Sequence, residues 1–464
     1  MTLIKSISGI RGTIGGNTGD NLTPIDAVKF AAAYGTFIKK KNSEKEKITI
    51  VIGRDARISG KMISNLVANT LVGLGINVID LGLSTTPTVE VAVPLEKADG
   101  GIILTASHNP KQWNALKLLN EKGEFLNGED GADILKIAEN DATIQFAEVD
   151  DLGSYRKKKN YIKKHIKEVL KLDLVDKKAI KKAKFKVVVD GVNSTGGIAI
   201  PALLKELGVK CIELYCEPNG HFPHNPEPLK EHLTDISELV VKEKADLGIV
   251  VDPDVDRLAL ISEDGSMFGE EYTLVACADY VLGQLGGGNT VSNLSSSRAL
   301  RDVTEKHGGT YTASAVGEVN VVQMMKDTNT VIGGEGNGGI IYPESHYGRD
   351  SLVGVALFLS HLAHKKTSCK ALRDSYPSYF MSKNKIQLTP QIDVDKILET
   401  MANNYKSEDV NTIDGVKIDF TKEWIHLRKS NTEPIIRIYT ESTSQENADA
   451  LAKRFITEIQ QIIQ

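Results

Sequence analysis

Runs of four or five β-branched and aliphatic residues recur along this chain, each closed by Gly, Asp or Thr and followed by residues with helical spacing. The first unit begins at Ile48-Thr49-Ile50-Val51-Ile52, turns at Gly53-Arg54-Asp55, continues as a helix through about Leu74, and reaches a later run at Gly101-Ile102-Ile103-Leu104. The second begins at Phe185-Lys186-Val187-Val188-Val189, has a helix ending near Leu207-Gly208, and reaches Leu247-Gly248-Ile249-Val250-Val251. The third begins near Thr290-Val291 and reaches Thr330-Val331-Ile332. Unbroken apolar runs belong to strands buried on both faces, and alternation with helices predicts an α/β chain of three similar α/β/α domains with mixed or parallel sheets. From about Lys383 the character changes. Trp424-Ile425-His426-Leu427 and Ile435-Ile436-Arg437-Ile438-Tyr439 read as strands, and a final helix is expected from about Ser444 to Ile463, which makes a small α+β domain. The expected divisions are 1–153, 154–254, 255–375 and 383–464. The lysine-rich stretch from Tyr155 to Lys184 has helical spacing and is expected to link the first two domains with a solvated face.

Length agrees with this division, since 464 residues at roughly 100–200 per domain give three or four domains. With 41% hydrophobic and 25% charged residues the composition is that of an ordinary globular chain. A net charge of −5 argues against a nucleic-acid partner that needs a broad basic face, but leaves room for a local basic pocket for a small anion. No run of 18 apolar residues predicts a membrane span, and the opening MTLIKSISGIRG lacks the apolar core of a signal peptide. Cys211, Cys216, Cys277 and Cys369 are sparse and form no C-x-x-C pair, which fits a reduced, cytoplasmic protein.

Each later strand runs into an unusual loop, and ligands of open α/β sheets sit beyond the carboxyl ends of strands. Three such loops predict a shared central cleft. In DPDVDR, Asp252, Asp254 and Asp256 alternate on one tight turn, an oxygen-ligand set suited to Mg²⁺. Asp252, Asp254, Asp256 and Glu263 also match positions of a calcium-binding helix–loop–helix. However, Arg257 stands where that loop needs Gly, and the flanking residues read as strands. Three like charges between buried strands repel unless a cation neutralises them. In TASHNP, Ser107 lies in a turn beside His108 and Asn109, and a serine hydroxyl near Mg²⁺ and a basic residue can carry a phosphoryl group. Lys117 is the nearest candidate general acid or base, and a plain surface lysine is the alternative. GGEGNGG matches a dinucleotide glycine pattern, but Ile340-Ile341-Tyr342-Pro343 follows where a helix is required. A flexible loop bringing Glu335 and Asn337 to sugar hydroxyls is the better reading. Arg428-Lys429-Ser430-Asn431-Thr432-Glu433-Pro434 with Arg437 supplies cations, hydroxyls and turn N–H groups for a phosphate, or else a structural turn. His221 and His224, in PNGHFPHNPEP, read as part of a turn rather than a metal site.

TASHNP, DPDVDR, GEGNGG and RKSNTEP, in this order and spacing, resemble the four signature loops of the α-D-phosphohexomutases. The resemblance covers essentially the whole chain and takes in Ser8-Gly9-Ile10-Arg11-Gly12, Gly53-Arg54-Asp55 and PNGHFPHNPEP. It implies four domains, one loop from each, and an isomerase that moves a phosphoryl group between O6 and O1 of a hexose phosphate through a phosphoserine and a bound hexose 1,6-bisphosphate. By the resemblance Ser107 is phosphorylated and joins Asp252, Asp254 and Asp256 around Mg²⁺. Arg11, His108 and Lys117 complete the catalytic set. Arg257 lies beside the metal loop, Glu335 and Asn337 contact the sugar, and Arg428, Ser430, Asn431, Thr432 and Arg437 hold the phosphate that does not react. The pattern departs from the commonest one at Asn337 and Gly339, where Ser and His are usual, at Ala115, where Gly is usual, and at Asn431, where many phosphoglucosamine mutases have Gly. It is most similar to the bacterial phosphoglucosamine mutases, which implies glucosamine 6-phosphate as substrate. Phosphomannomutase or phosphoglucomutase activity is the alternative, and a non-catalytic sugar-phosphate binding protein or a Mg²⁺ phosphatase are readings of another class. A monomer and a homodimer both fit.

Overall fold

A computed structural model of the chain describes residues 2–6, 9–387, 392–429 and 435–463. Four sheets follow one another along the chain. At the heart of the first, Thr49–Arg54 pairs in parallel with Asn77–Leu83 on one side and with Gly100–Leu104 on the other. Trp113–Leu119 is antiparallel to Gly100–Leu104, and Gly9–Thr13 is antiparallel to Trp113–Leu119. The apolar runs are buried because helices cover both faces. Phe30, Tyr34 and Leu71 pack on one face, and Val89, Ala92 and Val93 on the other.

The second sheet has Lys186–Asp190 between parallel neighbours Lys210–Leu214 and Leu247–Val251. Leu258–Ser262 then turns back antiparallel along all five residues of Leu247–Val251. The division expected between residues 254 and 255 falls inside this hairpin, whose continuous ladder makes both strands one element and carries the second sheet to Ser262. The third sheet is built alike, from Asn289–Asn293, Tyr311–Ser314 and Thr330–Glu335 in parallel, with Gly339–Ile341 antiparallel at one edge. The second and third units share one continuous apolar core, from Ile162 to Tyr376. The last sheet is entirely antiparallel and has its own core, with Trp424–Lys429 and Ile435–Ser442 at its centre and the helix Gln445–Ile463 packed on it.

The lysine-rich stretch is less uniform than its spacing suggested. Tyr155–Lys157 is an edge strand on the first sheet, parallel to Asn77–Leu83, and only Tyr161–Val169 and Lys177–Ala183 are helical. Tyr161–Val169 buries Tyr161, Ile162, His165, Ile166 and Val169, while Lys163 and Lys167 face solvent. Among the described residues no helix is long and apolar enough to cross a membrane.

Candidate active site

The strand Gly100–Leu104 delivers its chain directly into the serine turn. Ser107 sits there with φ of 48°, in the left-handed region that is costly for a residue with a Cβ. One buried guanidinium over-determines this turn. Arg57 donates to the carbonyls of Ser107 (2.5 Å), Asn109 (2.6 Å), Pro110 (2.7 Å) and Trp113 (3.0 Å), while its Nε bonds Asp55 Oδ2 at 3.0 Å. Asp55 also accepts from Thr105 Oγ1, which in turn accepts from the Ser107 N–H. Phe222, from the proline-rich stretch, lies over the Arg57 guanidinium, and Gly220 comes so close to the Ala56 carbonyl that a Cβ would sit 2.2 Å from it.

The turn thus held presents the Ser107 hydroxyl across a domain junction, where it donates to Asp252 Oδ2 at 2.6 Å. Asp252, Asp254 and Asp256 are fully buried in the turn between Leu247–Val251 and Leu258–Ser262, with Val255 left-handed at φ of 66°. Ser194 and Thr195 fix the turn by donating to the Pro253 carbonyl. From the first unit, Thr86 donates its N–H to the Asp254 carbonyl (2.8 Å) and its hydroxyl to Asp254 Oδ2 (2.6 Å). Lys117 Nζ reaches Asp254 Oδ2 (2.7 Å) and Asp256 Oδ2 (3.2 Å). Asp254 Oδ1 and Asp256 Oδ1 are buried with no hydrogen-bond partner among the described residues.

Three buried carboxylates, two of them with an unpartnered oxygen, and one neighbouring hydroxyl could hold a hard cation. One carboxyl oxygen from each residue lies within 4.8 Å of the others. The electrostatics have the same cause. Burial and the charges of Asp254 and Asp256 push the Asp252 carboxyl well above the usual range. Burial opposes ionisation of Asp254 too, but the Lys117 ammonium and the hydrogen bonds from Lys117 and Thr86 hold that carboxyl well below it. Lys117 is depressed by burial and raised more by Asp254 and Asp256, so it stays a cation. That state suits charge offset better than the role of a base. Burial and then Arg257 lower His108 to about 2, so its ring, with Nδ1 3.4 Å from Ser107 Oγ, is neutral.

The glycine-rich segment is a tight hairpin rather than a flexible loop. Glu335 pairs with Gly339 at the end of two antiparallel strands, and Gly338, at φ of 81°, has the Leu258 carbonyl where a Cβ would sit. Glu335 is buried and points inward, accepting from Asn293 Nδ2 (3.0 Å) and Arg349 Nη1 (3.0 Å). Asn337 is half-buried and accepts from the Gly339 N–H. Arg349 had no sequence signal. It bridges Glu335, Glu318 and Asp256 and ties the glycine-rich hairpin to the acidic turn.

Arg257 pairs with Glu227 of the proline-rich stretch at 3.2 Å. In the fourth unit Arg428 and Arg437 are directly opposite on neighbouring strands, and Arg428 Nε bonds Asp414. Arg11 is held below its ordinary range by burial and then by the charge of Arg437, so the fourth unit's cation faces the first unit's. Ser430, Asn431 and Thr432 lie outside the described residues, as does Ser8 of the N-terminal motif.

Arg57→Lys is expected to lower kcat at least about tenfold, a barrier change of about 1.4 kcal/mol, because an ammonium cannot span four carbonyls and a carboxylate. Steady-state kinetics would check it, and an unchanged kcat would separate Arg57 from the serine turn's alignment.

Family models for the phosphoglucomutase/phosphomannomutase α/β/α domains I, II and III match residues 3–145, 159–265 and 269–379, and the model for the C-terminal domain matches 385–458. The chain belongs to this family, the phosphohexomutases, and is an isomerase that transfers a phosphoryl group within its substrate. A phosphoglucomutase/phosphomannomutase of Thermococcus kodakarensis is 36% identical over 442 residues, 94% of this chain and 95% of that protein. A probable phosphoglucosamine mutase of Methanopyrus kandleri is 30% identical over 460 residues, 98% of each chain. The crystal structure of a phosphoglucomutase/phosphomannomutase family protein from Burkholderia thailandensis superposes with a TM-score of 0.83 at 25% identity, covering 98% of this chain and 97% of that one.

Proposed function

We propose that Ser107 carries the phosphoryl group in the interconversion of hexose 6-phosphates and hexose 1-phosphates, with glucosamine 6-phosphate as the favoured substrate. The observation that carries the assignment is the 2.6 Å contact from Ser107 to Asp252, which sets a nucleophilic hydroxyl against a buried three-carboxylate turn of another domain. In the forward half-reaction the bond between phosphorus and Ser107 Oγ breaks as O1 of a hexose 6-phosphate bonds to phosphorus. The O1 proton leaves, and a bound 1,6-bisphosphate results. After the intermediate reorients, its O6–phosphorus bond breaks, the phosphoryl group returns to Ser107, and O6 regains a proton. His108, with Nδ1 3.4 Å from Ser107 Oγ, and Lys117, bound to Asp254 and Asp256, are the basic side chains beside the serine turn that would assist these proton movements.

Asp252, Asp254, Asp256 and Ser107 Oγ would hold Mg²⁺, which when bound supplies positive charge to the transferring phosphoryl group. Arg257 adds to that charge, and Glu335 and Asn337 face the sugar. Arg428 and Arg437, with Ser430, Asn431 and Thr432, take the phosphate that does not react, and the 6- and 1-phosphates must both fit there. The charge of Arg437 acting on Arg11 supports a cleft that is electropositive between the first and fourth units. Arg437→Ala is expected to raise KM with a smaller effect on kcat, since loss of a charged phosphate contact costs on the order of 1.5–3 kcal/mol. Unchanged KM and kcat would remove Arg437 from the site.

The working units of this reading are the serine, metal, sugar and phosphate domains, and a cytoplasmic monomer or homodimer belongs to the same proposal. Glucosamine is favoured by the names of relatives such as that of Methanopyrus kandleri, while Asn337 and Gly339, where Ser and His are usual, would admit an amino sugar and both C2 epimers alike. The Thermococcus kodakarensis relative, at 36% identity, favours glucose and mannose phosphates as the second reading. The test is kcat/KM for the 6-phosphates of glucosamine, glucose and mannose. A tenfold preference for glucosamine needs only about 1.4 kcal/mol, and a tenfold preference for another sugar would assign the chain to the second reading.

A further inference from the structure

Apart from the acidic triad, two imidazoles and a carboxylate converge where the first three units meet. His165 comes from the helix Tyr161–Val169, and His346 and Asp350 from the segment leading into the helix Ser351–Lys365. Nε2 of His165 lies 2.9 Å, and Nε2 of His346 3.2 Å, from the same oxygen, Oδ2 of Asp350. One donor atom from each of the three residues lies within 4.8 Å of the others, and the two rings are inclined at 75°. Donor atoms on a tetrahedral zinc ion stand roughly 3.3 Å apart, from bonds of about 2.0 Å, and the two nitrogen–oxygen separations here, 2.9 and 3.2 Å, are close to that.

The surroundings point the same way. Asp350 Oδ1 is occupied by the N–H groups of Leu352 and Val353 at the start of its helix, which leaves Oδ2 to the imidazoles. The outer nitrogens are backed by polar groups of the first unit. His165 Nδ1 lies 3.0 Å from Thr88 Oγ1, and His346 Nδ1 3.5 Å from Glu90 Oε2. Metal-bound histidines are commonly backed in this way by a hydroxyl or carboxylate. Glu90 is 1% exposed, and neither of its oxygens has a hydrogen-bond partner among the described residues. With a cation on Nε2, the His346 proton sits on Nδ1 and faces the Glu90 carboxylate. A cavity of about 360 Å³ lined by Val91, Glu168, Lys171, Glu344 and His346 reaches the cluster at His346.

We propose that His165, His346 and Asp350 form a second cation site, selective for an imidazole-preferring divalent ion such as Zn²⁺ or Co²⁺ rather than Mg²⁺. An ion there joins the second and third units directly and the first through Thr88 and Glu90. It also seats Arg349, the neighbour of Asp350, against Asp256, Glu318 and Glu335.

The test uses the full chain, stripped with chelator and held in excess Mg²⁺, titrated with Co²⁺. One equivalent is expected to bind with the intense visible absorption of a four-coordinate Co²⁺–imidazole complex, to be displaced by Zn²⁺, and to raise Tm. His346→Gln is expected to abolish the absorption, and Asp254→Asn to retain it. Absence of the signal in the unsubstituted protein, or its loss in Asp254→Asn with retention in His346→Gln, would overturn the proposal. Since the first arm needs no variant, the answer does not depend on whether His346→Gln folds.

Discussion

Ser107→Ala is expected to lower kcat at least about a thousandfold, a barrier rise of about 4 kcal/mol, while Tm shifts little. The asymmetry follows from what the side chain touches. Its hydroxyl makes one strong contact, to Asp252, and the turn is held by Arg57 through main-chain carbonyls that the substitution leaves in place. Alanine at φ of 48° bears nearly the same backbone cost as serine. Deleting the hydroxyl therefore removes the proposed phosphoryl carrier and little else. Adding hexose 1,6-bisphosphate should not rescue the variant, because the bisphosphate has no acceptor to recharge. Steady-state assay with added bisphosphate is the check, and retention of more than a few per cent of activity would rule out a phosphoenzyme on Ser107.

Asp254→Asn is expected to cost at least about a hundredfold in kcat/KM, near 2.7 kcal/mol, and to raise the Mg²⁺ concentration needed for activity. The same change should also lower Tm in the absence of a cation, because against the cost of burial Lys117 and Thr86 hold the Asp254 carboxyl ionised well below its usual range and the variant gives up that charged pair. A ligand that binds the folded state raises Tm by mass action, so Mg²⁺ should raise the Tm of the unsubstituted protein more than that of the variant. Thermal denaturation with chelator and with Mg²⁺ gives both quantities. Equal Mg²⁺-dependent shifts in the two proteins would place the cation elsewhere.

The parts of this picture that follow the main-chain pattern were legible in the sequence. Val187, Val188 and Val189, or Ile249, Val250 and Val251, can only be strands covered on both faces, and that is where the sheets place them. The acidic triad was legible because its spacing is local, three carboxylates on one turn. The residues that position the chemistry from afar were hidden. Arg57 and Arg349 are ordinary arginines in sequence, and their importance comes from carbonyls and carboxylates brought together by the fold. Arg57 was nearest to being found, two residues beyond the Gly53-Arg54-Asp55 turn. The tight glycine hairpin was misread as flexible because its constraint, the carbonyl of Leu258 against Gly338, lies 80 positions away in the chain. The strand Tyr155–Lys157 was masked by surrounding lysines whose helical spacing belongs to the next element.

The central claim is that one phosphoryl group passes from Ser107 to the sugar and back. Protein labelled with radioactive phosphate at Ser107, mixed in a single turnover with unlabelled glucosamine 6-phosphate and Mg²⁺, tests it directly. Label is expected to leave the protein for a hexose 1,6-bisphosphate and the hexose monophosphates, with little inorganic phosphate. Label that stays on the protein while isomerisation proceeds, or that appears mainly as inorganic phosphate, would contradict it.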